Sequence, residues 1–135
     1  MVATPIEIRF SDIDQLGHVN NAVYLSYLEH ARTKLFDEYF PFIDWSKQAL
    51  ILAKVEINYL RPVFLQDKLT VYTWCSKIGG KSFNFSQSLK IAKDTKEVEV
   101  ATAETVLVSY DYPKNEAITM PDQWKEVLES MRLPN

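Results

Sequence analysis

The chain opens on a two-residue period. In TPIEIRF (4–10), Ile6, Ile8 and Phe10 fall on one side with polar residues between them, the pattern of a half-buried strand. From Ala22 to Phe40 the spacing changes: Tyr24, Leu28, Ala31, Leu35 and Tyr39 recur at steps of four, three, four and four, which lines one face of a helix. Pro41 predicts the end of that helix. Strand signals then dominate. LILAKVEINYL (50–60) closes at Arg61-Pro62, KLTVYTWCSKI (68–78) reaches a turn at Gly79-Gly80, and KSFNFSQSLKIA (81–92) follows. KDTK (93–96) predicts another turn before EVEVATAETVLVSY (97–110). In PDQWKEVLESMR (121–132), Pro121 stands near a helix start, and Trp124, Val127, Leu128 and Met131 share one face that predicts packing on the sheet.

This order implies an architecture. Strands joined by short turns pair antiparallel, and a sheet with one apolar face needs a cover. The long first helix is the element able to supply it. The expectation is an α+β fold in one domain, residues 1–135, with an antiparallel sheet of about five strands wrapped around one central helix.

Between the first strand and the helix lies SDIDQLGHVNN (11–21), which holds more polar side chains than a helix start requires. Asn20 and Asn21 are placed to cap, since asparagine accepts from the orphan amides of a first turn. Asp12 reads as a turn residue. Asp14 differs, because Gly17 lets the loop bend and return a carboxylate toward the helix start. A helix N-terminus carries about half a positive charge and free N–H donors, which can polarise a carbonyl and hold the oxyanion formed on attack. A carboxylate beside such amides is minimal equipment for acyl transfer.

Composition narrows the class. Hydrophobic residues make up 47% of the 135-residue chain, enough for a packed core. The 15 basic and 18 acidic residues give a net charge of -3, which argues against nucleic acid as the main partner. No apolar run approaches the roughly 20 residues of a membrane span. MVATPIEIRF lacks the pattern of a signal peptide. Cys75 is the single cysteine, so no internal disulfide forms and a cytoplasmic setting is the simplest expectation. Cys75 lies mid-strand and reads as packing, and no Cys/His cluster has metal-ligand spacing.

The run F-S-D-I-D-x-x-G-H-V-N-N-x-x-Y-x-x-Y-x-E-x-A-R (Phe10 to Arg32) closely resembles the 4-hydroxybenzoyl-CoA thioesterase family of the hotdog superfamily. N-Y-L-R-P-V-F-L-Q-D-K-L (58–69) and G-G-K-S (79–82) look like later parts of the same family, and the likeness spans roughly residues 5 to 110. It implies a hotdog fold and hydrolysis of an acyl-CoA to a free carboxylic acid and CoA, with CoA entering as part of the substrate and no further cofactor. By this resemblance Asp14 stands at the catalytic aspartate and Asn21 at the helix-start amide that contacts the thioester oxygen. His18 departs from the apolar residue of the best-known 4-hydroxybenzoyl-CoA enzymes and matches the H-V-N-N of plant acyl-carrier-protein thioesterases, which implies a catalytic histidine. Those enzymes also carry an asparagine where this chain has Leu16, so bonding the loop or contacting substrate stands as the other role. Ser82 matches a position bordering the pantetheine or nucleotide region. The resemblance also implies homodimers that can assemble into tetramers.

Other residues follow from position. Glu29 and Arg32 are three apart on the helix and are expected to pair; the place of Arg32 inside the apolar stripe requires a partner. Glu29 is the reserve catalytic acid, because some hotdog thioesterases use a helix glutamate. His30 falls on the polar face. Tyr24, Tyr27 and Leu28 are expected to line an acyl tunnel, and Arg61, Lys54, Lys77 and Lys81 are the candidate cations for CoA phosphates. A free aspartate, at about 3.9, is a weak base at neutral pH, so Asp14 stands open as general base or as nucleophile. Two other readings remain: hydrolysis of an acyl-carrier-protein thioester, and acyl-thioester binding without hydrolysis.

Overall fold

A computed structural model describes residues 1–133. Strand β1 (Val2–Ile6) leads through a 3-10 turn at Phe10–Asp12 to helix α1 (Val23–Tyr39). Strands β2 (Gln48–Tyr59), β3 (Leu69–Ile78), β4 (Ser82–Lys93) and β5 (Lys96–Asp111) follow, then a short β6 (Glu116–Ala117) and helix α2 (Asp122–Ser130). All pairings are antiparallel, in the order β1-β3-β4-β5-β2, with β6 on β5. A helix held by a curved antiparallel sheet is the hotdog arrangement expected from the motif.

Helix α1 packs against β1 and β3. Tyr24, Leu28, Ala31 and Leu35 form its buried stripe, as the spacing predicts, joined by Tyr27, Arg32 and Phe36. Leu28 and Leu35 are fully enclosed, each contributing about 2 kcal/mol by removal from water. The helix stops before Pro41, where the Phe40 N–H closes the last turn on the Phe36 carbonyl. Trp124, Leu128 and Met131 seat α2 in the core.

The side chains under α1 fall into two apolar groups. One gathers Leu35, Phe36, Phe40, Phe83, Phe85, Met120 and Trp124; the other gathers Tyr24, Leu28, Ala31, Val71, Leu89 and Ala101. Between them lies a polar layer of Thr73, Gln87 and Arg32. The register makes the layers explicit. Val71, Leu89, Ala101 and Tyr59 form one row across β3, β4, β5 and β2; Thr73, Gln87, Ala103 and Ile57 form the next; Cys75, Phe85, Thr105 and Val55 form a third.

Three expectations are corrected. The first strand lies earlier than TPIEIRF and ends at Ile6, and Phe10 is 83% exposed, because the chain leaves the sheet to form the 3-10 turn. Glu29 and Arg32 make no ion pair: Glu29 stays exposed, and Arg32 donates instead to Gln87 Oε1 at 3.4 Å. Tyr27 does not line the cavity at the helix entrance; its hydroxyl donates to buried Asp12 at 2.8 Å.

Candidate active site at the helix entrance

The loop before α1 is built by backbone bonds that its sequence invites. The Gly17 N–H donates to the Asp14 carbonyl at 3.0 Å, and the Asp14 N–H to the His18 carbonyl at 3.0 Å. Gly17 sits at φ +89°, where a side chain is strained, so glycine makes this reversal available. The turn returns Asp14 to the start of α1. One carboxylate oxygen, Oδ1, accepts the Leu16 N–H at 2.9 Å in an Asx turn.

Asp12 has a different task. It is 2% exposed and accepts from the Arg9 N–H, the Arg9 guanidinium and the Tyr27 hydroxyl at 3.0, 3.1 and 2.8 Å. Burial alone would raise its carboxyl, but these bonds outweigh it and hold the group below its ordinary value. The same burial and the bond to Asp12 push the Tyr27 phenol well up. Asp12 thus sits in a turn as expected, and its buried carboxylate is in addition a structural clasp.

At the helix entrance Asn20 spends its side chain on the Ala22 N–H at 2.9 Å, and its carbonyl accepts the Val23 N–H at 2.9 Å. Among the described residues nothing accepts from the Asn21 N–H. That donor stands at the positive end of a 17-residue helix. Tyr59, at the end of β2, donates its hydroxyl to the Asn21 carbonyl at 2.8 Å and meets the Tyr24 ring edge-on, centroids 5.0 Å apart. Burial, followed by the charges of Tyr59 and Asp67, raises the Tyr24 phenol, which stays neutral.

Asp14, His18, Asn21, Tyr24 and Arg61 line one open cavity of about 370 Å³, together with Leu16, Tyr59 and Pro62. His18 is half-buried; its Nδ1 lies 3.4 Å from the Val19 carbonyl and its ring stands edge-on to Phe64. The structure does not bring Ser82 or Glu29 to this cavity. Ser82 opens β4 seven residues from Leu89, which lies in the Tyr59 row, so the two are about 23 Å apart along the strand. Tyr59 is the site residue that sequence reasoning missed, although it stands inside the quoted N-Y-L-R-P stretch.

A second cavity, of about 500 Å³, lies toward the other end of β2 among Phe42, Lys47, Gln48, Asp111 and Trp124. Asp111 there is already engaged by Gln48 Nε2 at 3.3 Å and the Lys114 N–H at 3.0 Å. The helix-entrance cavity is smaller but is lined by both Asp14 and Asn21. Among the described residues no group of three His, Cys, Asp or Glu is placed to hold a metal, and no helix is long and apolar enough to cross a membrane.

Fold and site together define a hotdog-fold thioesterase class. Residues 8–128 match the family model described as the thioesterase-like superfamily, and the chain belongs to that family. It is 32% identical over 130 residues to the long-chain acyl-CoA thioesterase FadM of Escherichia coli (strain K12), covering 95% of this chain and 97% of the relative. The probable thioesterase YbaW from Escherichia coli superposes with a TM-score of 0.86 at 30% identity, covering 98% of this chain and 100% of that one. A thioesterase from Thermus thermophilus, solved with coenzyme A and Zn, superposes with a TM-score of 0.82 at 28% identity over 96% of this chain and 92% of its own.

Proposed function

We propose that this hydrolase cleaves acyl-CoA thioesters at the helix entrance, with Asp14 and the Asn21 amide as its working pair. The observation that carries this reading is that Asp14 and Asn21, whose N–H has no acceptor among the described residues, line one cavity. The amide and the helix dipole stabilise the charge that develops on the thioester oxygen. Asp14 then takes a proton from water as the water oxygen bonds to the carbonyl carbon, and passes that proton to the sulfur as the C–S bond breaks, so the thiol leaves protonated and the carboxylate is restored. In the alternative course the carboxylate attacks directly, expels the thiolate and forms a mixed anhydride that water opens. His18 and Tyr24 bound the reacting end, and Arg61 at the cavity edge suits the CoA phosphates.

A homodimer fits the same reading. Strand β2 is an edge of the sheet and exposes Ile51 and Leu52, which a second copy would cover. A sizing column that shows only monomer at micromolar concentration would remove this part. The lone buried Cys75 suits a reducing cytoplasm.

Thiol release from acyl-CoAs of graded length tests the activity. Asp14→Asn should keep the fold and lose on the order of 10² to 10⁴ in rate. Full turnover by a folded Asp14→Asn protein would take Asp14 out of the reaction. The run His18-Val19-Asn20-Asn21 favours a second reading, an acyl-carrier-protein substrate, and matched carrier-protein and CoA thioesters of one acyl group separate the two.

A further inference from the structure

Asp14 rides on a small hairpin. Ile13 and Val19 form an isolated antiparallel bridge, the Asn20 N–H donates to the Asp12 carbonyl at 2.9 Å, and the Asp14 N–H donates to the His18 carbonyl at 3.0 Å. The Gly17 N–H closes the tip on the Asp14 carbonyl. One arm starts at Asp12; the other runs through Asn20 and Asn21 into α1. Asp14 lies two residues from the base of its arm, so whatever fixes the base limits where its carboxylate can stand against the helix start.

Each arm has its own anchor. On the later arm the Val19 N–H donates to the Val63 carbonyl at 2.8 Å. On the earlier arm the anchor is the Asp12 carboxylate, which Arg9 and Tyr27 hold. The two holders are not equivalent. Arg9 precedes Asp12 by three residues at the same 3-10 turn and its side chain is exposed, so its bonds shape the turn without fixing the turn's place on the helix. Tyr27 is 5% exposed and stands on α1, 15 residues from Asp12. Among the described residues, its hydroxyl makes the side-chain bond by which the helix grips the arm carrying Asp14.

Releasing that grip has a cost and a direction. Asp12 is 2% exposed, and an enclosed carboxylate is tolerated only while donors meet it. Without the Tyr27 hydroxyl the group is held by Arg9 alone, and the turn shifts relative to α1 toward water, where its oxygens regain donors. Asp14, two residues along the same arm, shifts with it. A misplacement of about 1 Å at a reacting group can cost on the order of 10²-fold in rate.

We propose, resting on the acyl-CoA reading above, that Tyr27 is a positioning residue for the reaction: its hydroxyl, through Asp12, sets where the Asp14 carboxylate stands against the start of α1. Tyr27 does not line the helix-entrance cavity, so its influence on the substrate passes through the hairpin. Its ring has a separate task, packing in the core beside Tyr24 with centroids 6.2 Å apart. Tyr27→Phe therefore removes the bond to Asp12 and keeps the packing.

Thiol release by the full chain compares wild type, Tyr27→Phe, Asp14→Asn and the double variant, with the enzyme-free rate subtracted and each rate divided by the folded fraction from circular dichroism. Tyr27→Phe should lose about tenfold in kcat with KM within about twofold of wild type, as for an interaction felt in the transition state alone. In the Asp14→Asn background the same change should alter the residual rate less than about twofold, because no carboxylate is left to place. A role confined to stability moves both backgrounds alike. Asp12→Asn weakens the same bond from its other end and gives the comparison again where Tyr27→Phe does not fold. Equal losses in the two backgrounds overturn the inference, as does a folded Tyr27→Phe protein with wild-type kcat beside an impaired Asp14→Asn. Full turnover by folded Asp14→Asn instead overturns the use of Asp14 in the hydrolase reading, and this inference falls with it.

Discussion

The Tyr59 hydroxyl donates to the Asn21 carbonyl oxygen at 2.8 Å and ties the last residue of β2 to the entrance of α1, across 38 positions of chain. Both groups border the cavity that holds Asp14. Tyr59→Phe keeps the ring against Tyr24 and removes the tie. The expected loss of stability is about 1 kcal/mol. The expected loss of kcat is roughly tenfold, with less change in KM, because the amide is displaced from the carbonyl it must meet. Unchanged kcat in a variant that melts normally would show that β2 does not position the entrance.

Gly17 is the second place where backbone geometry serves the site. Its φ of +89° strains any side chain, although a Cβ there would meet open space. Gly17→Ala should therefore cost about 1 kcal/mol through conformation alone. Because Gly17 closes the turn on Asp14, turnover should fall with stability, and Gly17→Asn should be milder on both counts. Melting temperatures and thiol-release rates of the two variants check this; an alanine variant matching wild type in both would contradict it.

Acid should loosen the clasp on Asp12. Its folded carboxyl lies below the ordinary value of 3.8, so the charged form is preferred in the folded chain. The stability this brings is complete above that unfolded value and is lost as pH falls through the lower folded one. Asp12→Asn should cost about 2 kcal/mol at neutral pH. It should also flatten the acid limb of the stability profile, bringing the two proteins together in strong acid. Parallel profiles at all pH values would locate acid sensitivity elsewhere.

Cys75 should be silent until the protein opens. It is 1% exposed, and burial pushes its thiol up to about 11. At mildly alkaline pH an alkylating reagent should label it only in denaturant. Rapid labelling of the native protein would mean that the end of the core under α2 opens readily.

The parts of this molecule that lie close together in sequence were legible there. Asp14, Gly17, His18 and Asn21 stand within one loop, so a single motif displayed the carboxylate and the helix start together. Alternating, β-rich runs bounded by turn signals marked where β3, β4 and β5 lie but not which face each buries, and β4 encloses Gln87, Ser88 and Leu89 in succession. The same pattern misled at Ile8 and Phe10. Alternation does not say where the chain leaves the sheet, and here Arg9 turns out to grip Asp12. Contacts between distant positions gave no local signal. Tyr59 finds Asn21, and Arg32 passes over Glu29, three residues away, to reach Gln87 at a separation of 55. The two-residue β6 is too short to produce a pattern at all.

The polar layer of Thr73, Gln87 and Arg32 has a mechanical consequence. Side chains around Trp124 and those around Tyr24 do not share one continuous apolar mass. Strain introduced at the α2 end must travel to the helix entrance mostly along the strands, whose hydrogen-bonded ladders are stiff lengthwise. The far half of the molecule thus works as a foundation, and the half that carries Asp14 can be re-cut for new acyl groups without the foundation being rebuilt.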